Sequence, residues 1–510
     1  MRNGFYLEKF DILCTVTVQF MIMKNVKLDT EEKDFFRKVR LAIFANPFSD
    51  ERAAVDRLLI QKRLPVNREK LVALLTQAVD KQLRQICPDK KSSLLNFEKE
   101  DRQLVQYGIL FNIFHKYCAD FDQHIQEQII YGDKPCTVNF SADILAEMVS
   151  MGIAQKESVR FFSLFFQMRR AFYFIDKIVG NSPCMKNLRR DLWNNIFTFD
   201  IWMYDQYLCD RMEDFSTMLL GSTGTGKGLA AAAIGRSGYI LFDEKKNCFA
   251  ESFTRVFVSI NLSLYPEQLL ESELFGHKKG SFTGATHGHD GIFSLCSPSG
   301  AIFLDEIGEV SIPVQIKLLQ VLQDRIFSPV GSHENQRFSG RVIAATNRSI
   351  DELRAKKLFR DDFFYRLCSD IIHMPSLFQR IQERSDELDN LLDHTVQRIL
   401  GKPAPELAES ILKIIRQQIP EDYPWPGNVR ELEQCVRRIL LKQQYRGDNI
   451  LSAADTTNTF NELLLRGGFT AQQLLSRYCA LLYERLGTYE SVAKQTGLDR
   501  RTVKKYIDSC

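Results

Sequence analysis

Between Asn67 and Ile86 the apolar residues Leu71, Leu74, Leu75, Ala78, Val79, Leu83 and Ile86 recur at three- and four-residue spacing, with Asn67 positioned as an N-cap. That spacing predicts an amphipathic helix. Glu157–Ile175 repeats it: Phe161, Phe165, Met168, Phe172 and Ile175 form a stripe that Arg160, Arg169 and Arg170 avoid, as in a helix packed in a core or against another subunit. The first 175 residues therefore read as a mostly helical domain. Beyond Ile175 short β-like runs, "STMLL", "RVFVSI", "GAIFLDE" and "RVIAATN", alternate with helical stretches, which predicts a parallel sheet covered on both faces. A helical region follows from about Ser376 to Gln443, broken by "PEDYPWPGNVREL". The polar, Gly-bounded "YRGDNILSAADTTNTFNELLLRGG" reads as a linker, and a short helical segment closes the chain.

Composition narrows the setting. A chain of 510 residues exceeds one core and suggests two to four domains. A net charge of +3 gives no global nucleic-acid signal, so any DNA contact has to come from a local patch. The 12 cysteines are scattered, the nearest two being Cys118 and Cys136; no zinc spacing exists, and a reduced, cytoplasmic protein is expected. The apolar run Ile12–Met23 falls short of the about 20 residues a membrane span needs. It lacks a signal-peptide cleavage site, and its β-branched content favours a strand; a translation start at Met21 or Met23 is the alternative. No membrane association is expected.

The loop Gly221, Ser222, Thr223, Gly224, Thr225, Gly226, Lys227 and Gly228 follows "STMLL" and precedes the helix-forming "LAAAAIG". Strand, glycine loop and helix in that order gather backbone N–H groups and a helix N-terminus around a phosphate, with Lys227 adding its charge. Gly228 stands where the generic motif has a Mg²⁺-binding Ser or Thr. By composition alone two such glycines and a lysine would occur with a probability of order 0.1–0.2 in this chain. Its second half makes the assignment firmer: "AIFLDE" ends in Asp305, suited to hold Mg²⁺, and Glu306, suited to polarise an attacking water.

Here the chain resembles the AAA+ activators of sigma-54 RNA polymerase, the bacterial enhancer-binding proteins. The resemblance rests on "IVGNSPCM", "ESELFGHKKGSFTGA", "GAIFLDEIGEV", "QIKLLQVLQDRIFSPVG", "VIAATN", "LFRDDFFYRL" and "YPWPGNVRELE", spread over roughly residues 176–445. It implies an ATPase with ATP and Mg²⁺ as cofactors, acting as a hexameric ring. Asn261 resembles the residue that restrains the catalytic glutamate. Thr346 and Asn347 resemble the γ-phosphate sensor, Arg360 and Arg366 the arginine fingers that reach a neighbouring subunit, and Arg430 the second sensor. An arginine supplied in trans contributes about 10³–10⁵ in rate, so a monomer should turn over poorly. The family's "GAFTGA" loop reads Gly280, Ser281, Phe282, Thr283, Gly284, Ala285 here. By resemblance this loop contacts sigma-54, with Phe282, which has no apolar neighbour in the loop, and Thr283 as its surface.

At the other end "YESVAKQTGLDRRTVKKYI" suggests two short helices around Gly497, the second capped by Asp499. Arg500, Arg501, Thr502, Lys504 and Lys505 on that second helix suit phosphate and base-edge contacts in a major groove. The segment resembles a Fis-type helix-turn-helix and implies binding to upstream enhancer DNA. The expected architecture is multidomain. A helical N-terminal regulatory domain (1–175) precedes an α/β AAA+ P-loop NTPase core (176–375), a helical lid (376–445), a linker (446–469) and an all-α helix-turn-helix (470–510). Two rivals stand beside an ATP-driven activator: a DNA-binding repressor or scaffold with a silent ATP site, and an AAA+ remodeller of unrelated substrates. The unusually long segment Arg189–Phe215 separates the domain entry from the P-loop, and the sequence assigns it no role.

Overall fold

The computed structural model describes residues 26–60, 68–86, 94–282, 285–445, 447 and 470–508. The expected strand at Ile12–Met23, the cap at Asn67, Thr283, Gly284 and nearly all of the linker lie outside them. Two compact units emerge, Met1–Tyr445 and Arg446–Cys510.

The first unit centres on five parallel strands: β1 (Thr217–Leu220), β2 (Phe257–Asn261), β3 (Ala301–Asp305), β4 (Arg341–Thr346) and β5 (Asp370–His373), in the order β2-β3-β4-β1-β5. The sequence pattern anticipates the first four; β5, with only Ile372 of its residues buried, shows little hydrophobic pattern. Register aligns the strand ends, with Asn261 beside Asp305 and Leu220 beside Thr346. Residues at the carboxyl ends of different strands thus share one edge, where open α/β sheets place their ligands. Lid helices Leu377–Glu383, Glu387–Leu400, Pro405–Gln418 and Asn428–Lys442 pack around their own core of Leu391, Ile411, Ile415, Leu432 and Ile439.

The described residues between Thr30 and Asp176 are mostly helical, and they are not separate from the sheet-centred core. Its core (Phe36, Val79, Ile109, Phe121, Phe162 and Phe166) continues into Phe242, Phe249 and Phe253. Phe242 and Phe249 sit on a two-stranded hairpin between the P-loop helix and β2. The helix Gln155–Asp176 bridges the two bodies and is buried on more than one side. This corrects the expectation that Arg170 avoids the apolar face. Arg170 is fully buried, donates to the carbonyls of Arg236 (2.7 Å) and Gly238 (2.6 Å), and lies over the rings of Phe166 and Phe253. Burial holds its guanidinium down to about 9. Arg169 pairs with Asp122 and Arg160 with Asp205.

The long segment Arg189–Phe215 also acquires a structural account. Trp193, Phe197, Ile201 and Tyr204 are buried with Leu219, Ala231, Ile234 and Ile343. It therefore roofs one face of the sheet beside the P-loop helix.

The second unit contains helices Ala471–Leu486, Tyr489–Thr496 and Arg500–Asp508 around Cys479, Leu482, Val492 and Val503. Gly497 ends the middle helix at φ 73°, a left-handed conformation that glycine adopts without strain. Asp499 accepts from the backbone N–H groups of Arg501 (2.9 Å) and Thr502 (3.1 Å), the cap its sequence position suggests.

Candidate nucleotide site and loop

A cleft of about 930 Å³ opens at the carboxyl ends of the strands, between sheet and lid. Its lining includes a polar set, Thr223–Gly228, Asp305, Glu306 and Arg430, and an apolar set, Ile178, Val179, Met185 and Leu391, with Arg380, His394 and Arg398 beside them. A phosphate chain matches the first and a flat, weakly polar base the second.

The P-loop turns through left-handed glycines, Gly224 (φ 81°) and Gly226 (φ 95°), and then starts the helix Lys227–Gly235. A Cβ on Gly224 would collide with the carbonyl oxygen of Gly427, so glycine is required by the lid as well as by the backbone angle. Lys227 is a buried residue at the cleft, and its ammonium donates to the carbonyls of Gly221 (2.7 Å) and Ser222 (3.2 Å). Burial lowers its pKa, against the opposing pull of Glu306 and Asp305. Burial likewise raises the Asp305 carboxyl, while the Glu306 N–H and Lys227 pull it back. Charges of opposite sign therefore face each other across a partly dry cleft, where interactions are stronger than in water.

Glu306 has a left-handed backbone, φ 57°, which is uncommon outside glycine and concentrates at functional sites. Its carboxylate accepts from the Asn347 N–H at 3.3 Å, and the Asn347 amide donates to Thr223 Oγ1 at 3.0 Å. Asn347 thereby connects the carboxylate to the P-loop. Thr346 is fully buried, and its hydroxyl accepts from the N–H of Arg348. Asn261 stands next to Asp305 in register, but its amide oxygen is occupied by the N–H and hydroxyl of Ser263. It caps a turn here instead of touching Glu306.

Arg430 lines the cleft, whereas Arg360 and Arg366 do not. Arg360 pairs with Asp362 at 2.7 Å, and Arg366 donates to the carbonyl of Leu322. Sequence reasoning missed Asn428, which sits in the "PWPGNV" break at φ 52°. Its amide donates to the Thr223 carbonyl (3.0 Å) and accepts from the Leu377 N–H (2.7 Å), while the Val429 N–H donates to Gly224. A Pro-Gly-Asn break inside a helical region was the available signal.

Of the loop Gly280–Ala285, none of the described residues Gly280, Ser281, Phe282 and Ala285 lines the cleft. Gly280 N–H donates to Ala285 O (2.8 Å) and Ala285 N–H to Phe282 O (3.0 Å). Phe282 is 38% exposed. It has a ring neighbour after all, because His277 lies 4.9 Å away, centroid to centroid. His277 is itself fixed at both nitrogens, by Ser272 Oγ (2.7 Å) and the His287 carbonyl (3.0 Å).

In the second unit Arg500, Arg501, Lys504 and Lys505 are exposed, with Arg500 paired to Glu490 at 2.9 Å. Thr502 is half-buried and its hydroxyl bonds to Asp499. Among the described residues no helix is long and apolar enough to cross a membrane.

Comparison with known families adds independent support. Residues 206–373 match the Sigma-54 interaction domain and residues 382–462 the AAA+ ATPase lid domain. The DNA-binding transcriptional regulator NtrC of Azospirillum brasilense is 35% identical over 286 residues, covering 55% of this chain and 52% of that protein. The Nif-specific regulatory protein of Azotobacter vinelandii is 36% identical over 272 residues, covering 53% and 45%. The chain thus spans about half the length of the curated relatives it matches. A crystal structure of NtrX from Brucella abortus with ADP aligns at 20% identity over 73% of this chain and 80% of that one, with a TM-score of 0.39, too low to carry weight. Residues 206–373 and 382–462 thus match, in order, a Sigma-54 interaction domain and an AAA+ ATPase lid domain, and the chain is similar to the NtrC and Nif-specific regulators over about half its length.

Proposed function

We propose that this protein hydrolyses ATP and uses the energy to open promoters held closed by sigma-54 RNA polymerase. The observation that carries the reading is the convergence of Lys227, Asp305, Glu306 and Arg430 on one cleft, with Asn347 bonded to both Glu306 and the P-loop. The P-loop N–H groups and Lys227 bind the β- and γ-phosphates. Glu306 orients and polarises the attacking water, and Asn347 senses whether the γ-phosphate is present. Arg430 reads the nucleotide from the lid.

Among the described residues no three His, Cys, Asp or Glu side chains gather as a metal cage. Mg²⁺ needs only one or two carboxylates beside nucleotide phosphates, and Asp305, half-buried in the cleft, fits that role. Bound there, the ion would neutralise phosphate charge; Gly228 contributes no ligand.

Arg360 and Arg366, outside the cleft of their own chain, are read as fingers for a neighbour's site in a hexamer. The Gly280–Ala285 loop is read as the sigma-54 contact. The basic helix Arg500–Asp508 is read as the recognition helix of a helix-turn-helix on enhancer DNA, with the N-terminal helices as a regulatory region and the cytoplasm as the setting. An ATPase assay across a protein concentration series tests this. Specific turnover should rise with concentration as subunits complete each other's sites, and no turnover at any concentration, with or without promoter DNA, would favour a silent scaffold.

A further inference from the structure

We propose that Arg380 and Glu387 are positioning residues for the nucleotide base. Their buried ion pair holds the segment Ile178–Ser182, whose Ile178 and Val179 line the cleft, in register with the lid helix that supplies other lining residues. The assignment rests on the nucleotide reading above and extends it to residues that touch no phosphate.

The pair is dry: Arg380 and Glu387 side chains are 4% and 0% exposed, with Nη2 to Oε1 at 2.8 Å and Nε to Oε1 at 2.9 Å. Each partner also holds backbone. Arg380 donates to the Val179 carbonyl at 2.7 Å. Glu387 accepts through its other oxygen from the N–H groups of Asn181 (2.7 Å) and Ser182 (3.1 Å). Arg189 donates to the carbonyls of Ile178 and Gly180 from the other side. Gly180 itself sits at φ 136°, and a Cβ there would press into the Arg380 guanidinium and the Glu387 carboxylate. This stretch has therefore almost no freedom to move without the pair.

The connection to the base follows from the lining. Ile178 and Val179 face the cleft, and Glu387 is the first residue of the helix that sends Leu391, His394, Thr395 and Arg398 into it. One ion pair thus fixes two groups of lining residues relative to each other. A buried pair of this kind is not the cheapest source of stability, since apolar residues of similar volume often do as well. Apolar residues could not hold three backbone polar groups in a set register.

The test compares two ligands on the full chain by calorimetry: ATP, which meets both sets of lining residues, and inorganic tripolyphosphate, which meets only the P-loop set. Glu387→Gln should weaken ATP by about tenfold or more, as an unpaired buried arginine disturbs the segment. It should leave tripolyphosphate within about twofold, because that ligand makes no contact with the base wall. If the single variant fails to fold, Arg380→Met combined with Glu387→Leu removes both charges, and the same split is expected. Unchanged ATP affinity, or parallel loss of both ligands, would overturn the assignment. A wild-type chain that binds neither ligand would instead overturn the nucleotide reading, and the assignment with it.

Discussion

Arg170→Ala is the sharpest perturbation of the contact between the helical region and the sheet-centred core. Burial holds the guanidinium near 9 against an ordinary 12.5, so keeping the charge in place costs about 5 kcal/mol at 1.36 per unit. Two charge-assisted hydrogen bonds return about 1.5–3 kcal/mol each, and the desolvated rings of Phe166 and Phe253 about 1–2 each. Together these returns, about 5–10 kcal/mol, match or exceed that cost. Arg170→Met fills the space and relieves the charge but strips the Arg236 and Gly238 carbonyls of a donor, for a net loss of about 2 kcal/mol. Arg170→Ala adds a cavity and should cost about 2–3 kcal/mol more. Urea denaturation of the full chain, followed by tryptophan fluorescence, measures both. Because the two carbonyls directly follow the P-loop helix, ATP turnover of the folded Met variant should also shift. An Ala variant within about 1 kcal/mol of wild type, with unchanged turnover, would show that the contact is incidental.

Glu306→Gln should retain ATP binding and lose hydrolysis, since Lys227 and Asp305 remain while water polarisation fails; wild-type turnover would refute the assignment. His124 is buried and held at about 4, so the unfolded chain binds more protons between that value and 6.5. Its contribution is complete above pH 6.5 and falls to about 2 kcal/mol less at pH 5; His124→Leu should flatten the melting temperature across that window, and an unaltered pH slope would exclude it. Phe282→Ala should leave folding and ATPase within about ±0.5 kcal/mol, as expected of a partly exposed loop residue, yet abolish open-complex formation on a sigma-54 promoter. Survival of both activities would remove the loop from the sigma-54 contact, and joint loss would assign it to the ATPase itself.

The parts of the site legible in the sequence are those whose chemistry is local in the chain. Gly224, Gly226 and Lys227 form one loop, and Asp305 and Glu306 end one strand, so spacing alone brings them to the reader. Asn428, Arg380 and Glu387 act across about 200 residues on Thr223, Val179 and Asn181 respectively. No periodicity in a single chain announces such a pairing. β5 went unseen for a related reason: with three of its four side chains exposed, it lacks the hydrophobic run by which central parallel strands are recognised.

The misreading of Arg170 has a different origin, and it changes what a regulatory region can mean here. Helical periodicity assumes one buried face and one wet face, whereas the helix Gln155–Asp176 packs against the N-terminal bundle and the sheet roof together. Its arginine lies where the sequence pattern places solvent. The same sharing makes Phe242, Phe249 and Phe253 depend on Phe162 and Phe166 for cover, with the Phe166 and Phe249 rings stacked at 3.9 Å. Removing residues up to Phe174 would expose that aromatic surface, and a change in ATPase after such a cut would report damage as readily as released control. Point substitutions at the seam, beginning with Arg170, keep the core closed. They can therefore separate a region that signals to the P-loop helix from one that merely supports it.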